Sequence, residues 1–302
     1  MTLQPYLLTA DNVTKRYGDK TVLKNVNLAI RKEEFVSLVG PSGCGKSSLL
    51  RIILGQENAC EGDIYINGRL ATEPSPNRGV VYQKYSLFPH LTVLDNVLMG
   101  INHLGIKGKA STKSECIDYA MYYLERVLLQ DAAHKLPHEL SGGMQQRAAI
   151  AQALIASPEI LLMDEPFAAL DQVSRELLQT FLLQLHEELR MTVVFITHSL
   201  EEAAYLGTRL LALSQYYDGF NTDSDHGATI VEDVCLDTLA RSTDIKRKPE
   251  FIELVTRIRR TAFDPDVIQS VDDFNLTHPD SFTIESTNTL KTLTQKDSTN
   301  EA

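Results

Sequence analysis

The chain predicts an α/β fold: a mostly parallel sheet flanked by helices, joined by an antiparallel β subsheet and an inserted helical subdomain. Three observations lead there. Short β-branched apolar runs alternate with longer amphipathic stretches. One of those runs ends in a glycine-rich turn that opens a helix. Between about residues 84 and 158 the strand signals vanish, and apolar side chains recur at helical spacing instead.

The elements follow in order. Segments 7–17 and 22–30 alternate apolar and polar residues and read as strands of the antiparallel subsheet; residues 63–67 (DIYIN) before Gly68 extend it. FVSLV at 35–39 is a buried strand, and residues 47–54 read as the helix after it. RGVVYQ (78–83), ILLMD (160–164) and TVVFIT (192–197) are further buried strands. In the helical insertion, Tyr119, Tyr122, Tyr123 and Val127 mark one face of a helix over 118–129. Residues 221–227 read as a polar loop and 228–234 as one more strand. Phe251, Ile252, Leu254, Val255 and Ile258 then form a helical face beside Arg257, Arg259 and Arg260, and that apolar side is expected to pack on the domain. The last forty or so residues are acidic and rich in Ser, Thr, Asn and Asp, a composition that favours disorder. This divides the chain into a domain over 1–235, with its helical subdomain at about 84–158, and an extension over 236–302.

Bulk properties exclude several classes. The 302 residues are 43% hydrophobic and 23% charged, ordinary values for a globular protein. A formal net charge of -11 argues against a nucleic-acid partner, since phosphate neutralisation needs clustered Lys and Arg. No run approaches the roughly eighteen apolar residues of a membrane span. The opening MTLQPYLLTADN has neither the basic start nor the apolar core of a secretory signal. Cys44, Cys60, Cys116 and Cys235 are too widely spaced for a metal site, so a reduced, cytoplasmic compartment is expected.

Chemistry enters at residues 40–47. GPSGCGKS fits the pattern G-x-x-x-x-G-K-[ST] after a buried strand and at a helix start, which makes this a P-loop NTPase core. Such a loop turns successive backbone N–H groups inward as an anion nest, and the helix N-terminus adds partial positive charge. Gly40, Pro41, Ser42, Gly43, Cys44 and Gly45 would cradle the phosphates of ATP. Lys46 would reach the β- and γ-phosphates, and the Ser47 hydroxyl would ligate Mg²⁺.

Asp164 and Glu165 end an apolar run, where ligands of open α/β sheets bind. Asp164 is placed to hold the Mg²⁺ shell, and Glu165 to orient or deprotonate the attacking water. Taken alone, such a run describes any strand entering a turn, and a histidine such as His198 in FITHS is more often structural. In company, His198 is expected to contact the γ-phosphate and water, and Gln83 to reach both Mg²⁺ and the water.

Residues 140–147 read LSGGMQQR, shortly before ILLMDEP. With GPSGCGKS, Gln83, AALD and His198 in this order, the chain from about residue 7 to 213 resembles the nucleotide-binding subunits of ABC transporters. The resemblance implies that LSGGMQQR is the family signature, with Ser141, Gly142, Gly143 and Gln145 at the nucleotide. Ser141 and Gly143 of one subunit would contact the γ-phosphate held on the loop of another, so that two ATP molecules are sandwiched in a dimer. It further implies that Tyr17 stacks on adenine and that Asp171 of AALD lies in the loop that communicates between subunits. Ser48 replaces the family's usual threonine, Ala168 its common serine and Ser199 its frequent aspartate; the last is expected to weaken local orientation.

The absence of fused membrane helices, of a second cassette and of a coiled-coil insertion points to a separate ATPase subunit. It would form a homodimer, sit peripherally on the cytoplasmic face of the plasma membrane and dock on transmembrane permease subunits. A coupling helix of the permease would enter the helical subdomain, and a periplasmic or surface solute-binding protein would be an indirect partner. Residues 77–100 with PHELSGGMQQR resemble bacterial uptake systems for nitrate, taurine and aliphatic sulfonates, although His90 stands where tryptophan is common. An export or lipid-handling ATPase is the alternative of the same class, and a soluble regulatory ATPase that of a different one.

Overall fold

A computed structural model describes residues 6–83, 86–102, 112–215, 217–218, 227–236, 246–264 and 269–270. The loop expected at 221–227, apart from Gly227, and the acidic tail beyond residue 270 lie outside the described residues. In chain order the first elements are β1 (Tyr6–Tyr17), β2 (Lys20–Arg31), β3 (Phe35–Val39), α1 (Lys46–Leu54), β4 (Glu61–Ile66) and β5 (Arg69–Leu70). Next come β6 (Arg78–Val81), α2 (Val93–Asn102), α3 (Lys113–Arg126), α4 (Gly142–Leu154), β7 (Ile160–Asp164), α5 (Gln172–Leu189) and β8 (Thr192–Ile196). The chain continues through α6 (Leu200–Leu206), β9 (Arg209–Ser214), β10 (Tyr217–Asp218), β11 (Thr229–Cys235), α7 (Pro249–Phe263) and β12 (Gln269–Ser270). Two compact units result, one built from residues 1–73 and 197–302, the other from 74–196.

In the first unit, β1 pairs antiparallel with both β2 and β4, and β5 closes the edge, which is the antiparallel subsheet expected from the alternating pattern. Alternation is visible in burial: Thr21, Leu23, Val26, Leu28 and Ile30 of β2 are buried, whereas Asn25 and the strand ends are exposed. A second group of strands reads β11-β9-β3, with β9 parallel to β3 and antiparallel to β11. All five residues of β3 are buried, as a strand covered on both faces requires. The strand expected at 228–234 is β11, displaced by one residue.

Arg209 begins β9 and is 2% exposed. Its Nε and Nη2 donate to the two carboxylate oxygens of Asp233 at 2.7 and 2.6 Å, and Nη1 donates to the Ala29 carbonyl at 2.6 Å. The pair thereby joins β9 and β11 to the carbonyl edge of β2. Helix α7 starts with Pro249 at its first position, where the missing N–H costs nothing, and buries Phe251, Val255, Ile258 and Ala262 against α6, β9 and β11. Its arginines are in part engaged: Arg259 pairs with Glu201 at 3.1 Å and Arg257 lies 4.0 Å from the buried Glu232.

In the second unit, β8, β7 and β6 run parallel in that order, with Phe167 against Phe195 at a 5.3 Å ring separation. Helices α2, α3 and α4 pack on one another, and α4 also meets α5 and β6. No strand occurs between residues 84 and 158 among the described residues, as the helical periodicity required. Two local details differ from the pattern. The strand through RGVVYQ stops at Val81, so Gln83 stands two residues past its end. The helix expected over 118–129 starts earlier, at Lys113, because Thr112 and Glu115 form a reciprocal capping box, and it ends at Arg126.

Candidate functional site

In the first unit, the loop between β3 and α1 is a formed cradle. Gly45 caps α1 at φ 103°, and a Cβ there would meet Leu23 and Val22 within 2.8 Å. Only glycine permits that backbone, and with it the α1 N-terminus opens toward the loop. Gly40 is closed in another way, since a Cβ would fall 2.2 Å from the Leu213 carbonyl. Pro41, Ser42 and Gly43 line the outer part of the loop, with Ser42 and Gly43 exposed and Pro41 half-buried. Lys46 is 7% exposed and its Nζ donates to the carbonyls of Gly40 and Pro41 at 2.8 and 2.9 Å. The loop thus holds the ammonium among its own oxygens. Cys44 Sγ lies 4.0 Å from that ammonium, but burial still pushes its thiol above the ordinary value, so it is a neutral spacer. Ser47 and Ser48 are half-buried in the first turn of α1.

Tyr17 ends β1 and is 43% exposed. Its hydroxyl donates to Glu57 Oε2 at 2.5 Å and lies 3.4 Å from Ser48 Oγ. His198, also in this unit, is exposed two residues past β8. Ser199 next to it caps α6 by accepting the Glu202 N–H at 3.2 Å. The Thr197 hydroxyl donates to Glu202 at 2.7 Å and accepts the Ser199 N–H at 3.1 Å, which fixes the backbone on both sides of the histidine.

In the second unit, Asp164 is half-buried at the carboxyl end of β7. Glu165 follows with φ 48°, a left-handed conformation that is costly for a residue with a Cβ. Its N–H donates to Ile196 O at 2.9 Å, and its carbonyl accepts from Ala168 at 3.2 Å. Strain held in place by two hydrogen bonds at the residue expected to act on water is the pattern seen at functional positions. Gln83 is exposed.

Ser141 is the N-cap of α4, its hydroxyl accepting from Met144 N at 3.4 Å, with Gly142 and Gly143 in the first turn. The signature is therefore a second glycine-bearing helix N-terminus. Gln145 is turned back instead: its amide donates to the carbonyls of Pro137 and Leu140 at 2.9 and 3.3 Å, bracing the turn that precedes the helix. Asp171 caps α5 by accepting the Ser174 N–H at 3.0 Å, and hydrogen bonds from the Ser174 side chain and then that N–H hold its carboxyl below the usual value. Ser141 and Gly143 line a surface cavity of about 470 Å³ with Met144, Arg147, Leu177 and Phe181. Leu177 there is 69% exposed, and Val173 on the same helix 68%.

These features comprise two glycine-bearing helix N-termini, one of them in the G-x-x-x-x-G-K-[ST] loop that marks the class of P-loop proteins. Comparison with known proteins narrows the class. The sequence profile described as ABC transporter matches residues 23–168. The chain is similar to the bicarbonate transport ATP-binding protein CmpD of Synechocystis sp., 43% identical over 211 residues that cover 68% of this chain and 74% of CmpD. It is equally similar to the aliphatic sulfonates import ATP-binding protein SsuB of Bacillus cereus, 43% identical over 67% of this chain and 77% of SsuB. Among solved structures it resembles the dimeric post-hydrolysis state of the ATP-binding cassette MJ0796 bound to ADP and Pi. That match has a TM-score of 0.62 and 34% identity, covering 76% of this chain and 99% of the cassette. The chain belongs to the ATP-binding proteins of ABC transporters and is an ATPase of that family. No helix among the described residues is long and apolar enough to cross a membrane.

Glu57, Arg209 and Asp233 carry no signal in the sequence: each acts through a partner remote along the chain, and none belongs to a recognisable motif.

Proposed function

We propose that this chain energises an importer of a small solute such as bicarbonate, nitrate, taurine or a sulfonate, working as a pair of identical subunits on transmembrane permease subunits. The observation that carries this reading is the formed cradle over 40–47, with Lys46 already held at its rim. ATP would lay its phosphates on the α1 N-terminus, where backbone N–H groups and the helix dipole favour negative charge. Lys46 then exchanges carbonyl partners for phosphate oxygens, and Tyr17 supplies a face for the adenine.

By the family resemblance Mg²⁺ would take the Ser47 hydroxyl, the Asp164 carboxylate and the Gln83 amide, hard oxygen ligands that leave room for water and phosphate. Bound there, it would neutralise charge on the β- and γ-phosphates. Glu165 accepts the proton of the attacking water, while His198 and Gln83 orient that water and the γ-phosphate. Ser141 and Gly143 of a second copy close the other side of the phosphate and exclude bulk water. The exposed Leu177 and Val173 beside the signature cavity supply apolar surface for that second copy. Closure of the pair drives the permease through the helical subdomain, and hydrolysis resets it. The direction of transport is supported by the sulfonate import protein among the relatives, and the solute class by the sulfonate and bicarbonate proteins together.

Glu165→Gln tests the assignment. The variant should bind ATP, lose nearly all turnover and accumulate as an ATP-bound dimer in size-exclusion chromatography. Turnover at the wild-type rate would overturn the role of Glu165.

A further inference from the structure

The aromatic at the end of β1 is not a free platform. Tyr17 donates its hydroxyl proton to Glu57 Oε2 at 2.5 Å. The same carboxylate oxygen lies 3.0 Å from Lys15 Nζ, and the second oxygen lies 3.3 Å from Arg51 Nη1. Lys15 Nζ in turn donates to the Asn58 carbonyl at 2.8 Å and stands over the Tyr17 ring, 5.1 Å from its centroid. One ring thus has its hydroxyl pinned by a carboxylate and a cation at one face. Glu57 is itself fixed to α1, because its N–H and that of Gln56 donate to the Arg51 carbonyl at 3.3 and 2.9 Å. The Tyr17 bond is also the main influence holding the Glu57 carboxyl below its ordinary value, with Lys15 and Arg51 adding to it.

The consequence concerns how base and phosphate are held relative to each other. Helix α1 has the phosphate cradle at its N-terminus and, just past its C-terminus, the carboxylate that pins Tyr17. At 1.5 Å per residue its nine residues make a strut of about 13 Å. Without a tether, a tyrosine that is 43% exposed would sample several rotamers, and stacking would have to pay for ordering it.

We propose that Glu57, braced by Lys15 and Arg51, is a positioning residue that pre-orients Tyr17 for stacking on the adenine of ATP. It rests on the reading of Tyr17 as the adenine platform. Glu57 touches neither base nor phosphate; it acts through the phenol. Removing the tether should therefore weaken recognition of the base and leave the phosphate cradle as it was.

The test uses the full chain and two probes, ATP and inorganic triphosphate, with dissociation constants measured by isothermal titration. Tyr17→Phe and Glu57→Ala are each expected to weaken ATP binding roughly three- to tenfold, as loss of a charge-assisted hydrogen bond at a half-exposed site implies. The double variant should be no weaker than either single one, because both remove the same bond. Glu57→Gln, which still offers an acceptor, should recover part of the loss. Triphosphate affinity and the turnover number at saturating ATP should stay unchanged in Glu57→Ala and Glu57→Gln. If Glu57→Ala lowers triphosphate affinity in step with ATP, Glu57 merely stabilises α1 and the proposal fails. It also fails if Tyr17→Phe and Glu57→Ala bind ATP as the wild type does, or if their effects multiply. Tyr17→Ala separates this from the underlying reading: it should weaken ATP by tenfold or more through lost stacking. Wild-type ATP affinity in that variant would remove the platform itself, and the tether with it. Weakened binding in Tyr17→Ala alone would remove only the tether.

Discussion

Asn96 offers a perturbation whose sign and size can be worked from the hydrogen bonds around it. It is fully buried in α2, and its Nδ2 faces three carbonyl oxygens, those of Phe88, Leu91 and Thr92, at 3.1, 3.0 and 2.9 Å. Its Oδ1 accepts the Phe88 N–H at 2.7 Å. One side chain therefore closes the turn before α2, a few residues past Gln83 in the chain. Asn96→Asp keeps the shape and the Phe88 bond but places an oxygen where the donor stood. When protonated, the new carboxyl can still donate once, so the loss is about 1 kcal/mol. When ionised, it sets a buried charge against three carbonyl dipoles, and the neutral form is favoured in the folded state.

The folded pKa of the new carboxyl is thus raised above its unfolded value of about 4. Between the two values the folded chain binds more protons than the unfolded one, so stability falls as pH rises. The slope is at most about 1.4 kcal/mol per pH unit, and the loss is complete once pH passes the folded pKa. Between about pH 5 and about pH 7.5 the variant should lose roughly 2–3 kcal/mol more than the wild type does. Urea unfolding followed by circular dichroism at both values, variant against wild type, reads this directly. A variant whose deficit is equal at the two pH values, or shrinks as pH rises, would refute the geometry assigned to Nδ2. Wild-type stability throughout would do the same.

Two further outcomes follow from groups described above. Lys46→Ala should lower ATP affinity by tenfold or more, since it removes the ammonium that the cradle holds; titration showing unchanged binding would count against the site. Arg209→Ala leaves Asp233, 4% exposed, without its bidentate partner and should cost about 3–5 kcal/mol in denaturant unfolding. The apolar pair Arg209→Met with Asp233→Leu should restore most of that loss, and a single variant within about 1 kcal/mol of wild type would sink the account.

What could be read from the sequence is what short stretches of backbone dictate by themselves. GPSGCGKS declares a loop because Gly45 must adopt φ 103° and Gly40 has no room for a Cβ, and both requirements are met within eight residues. FVSLV, ILLMD and TVVFI declare strands because burial on both faces requires a near-continuous apolar run. Apolar periodicity places a helix start at 118, whereas Thr112 and Glu115 cap it at a spacing of three and start it at Lys113. The strained Glu165 left no trace, since Pro166 after it favours an extended backbone rather than φ 48°. Contacts between distant residues left none. The Tyr17–Glu57 bond spans 40 positions and the Arg209–Asp233 pair 24, so neither has a periodicity or a spacing to betray it. Gln145 shows the same limit inside a motif: its place in LSGGMQQR suggested a nucleotide contact, while the fold turns its amide back onto Pro137 and Leu140. The groups expected to touch ligand announce themselves because ligand chemistry restricts their local backbone. The groups that hold them in place are constrained only by where the rest of the chain arrives, and for Tyr17 that means the loop after α1.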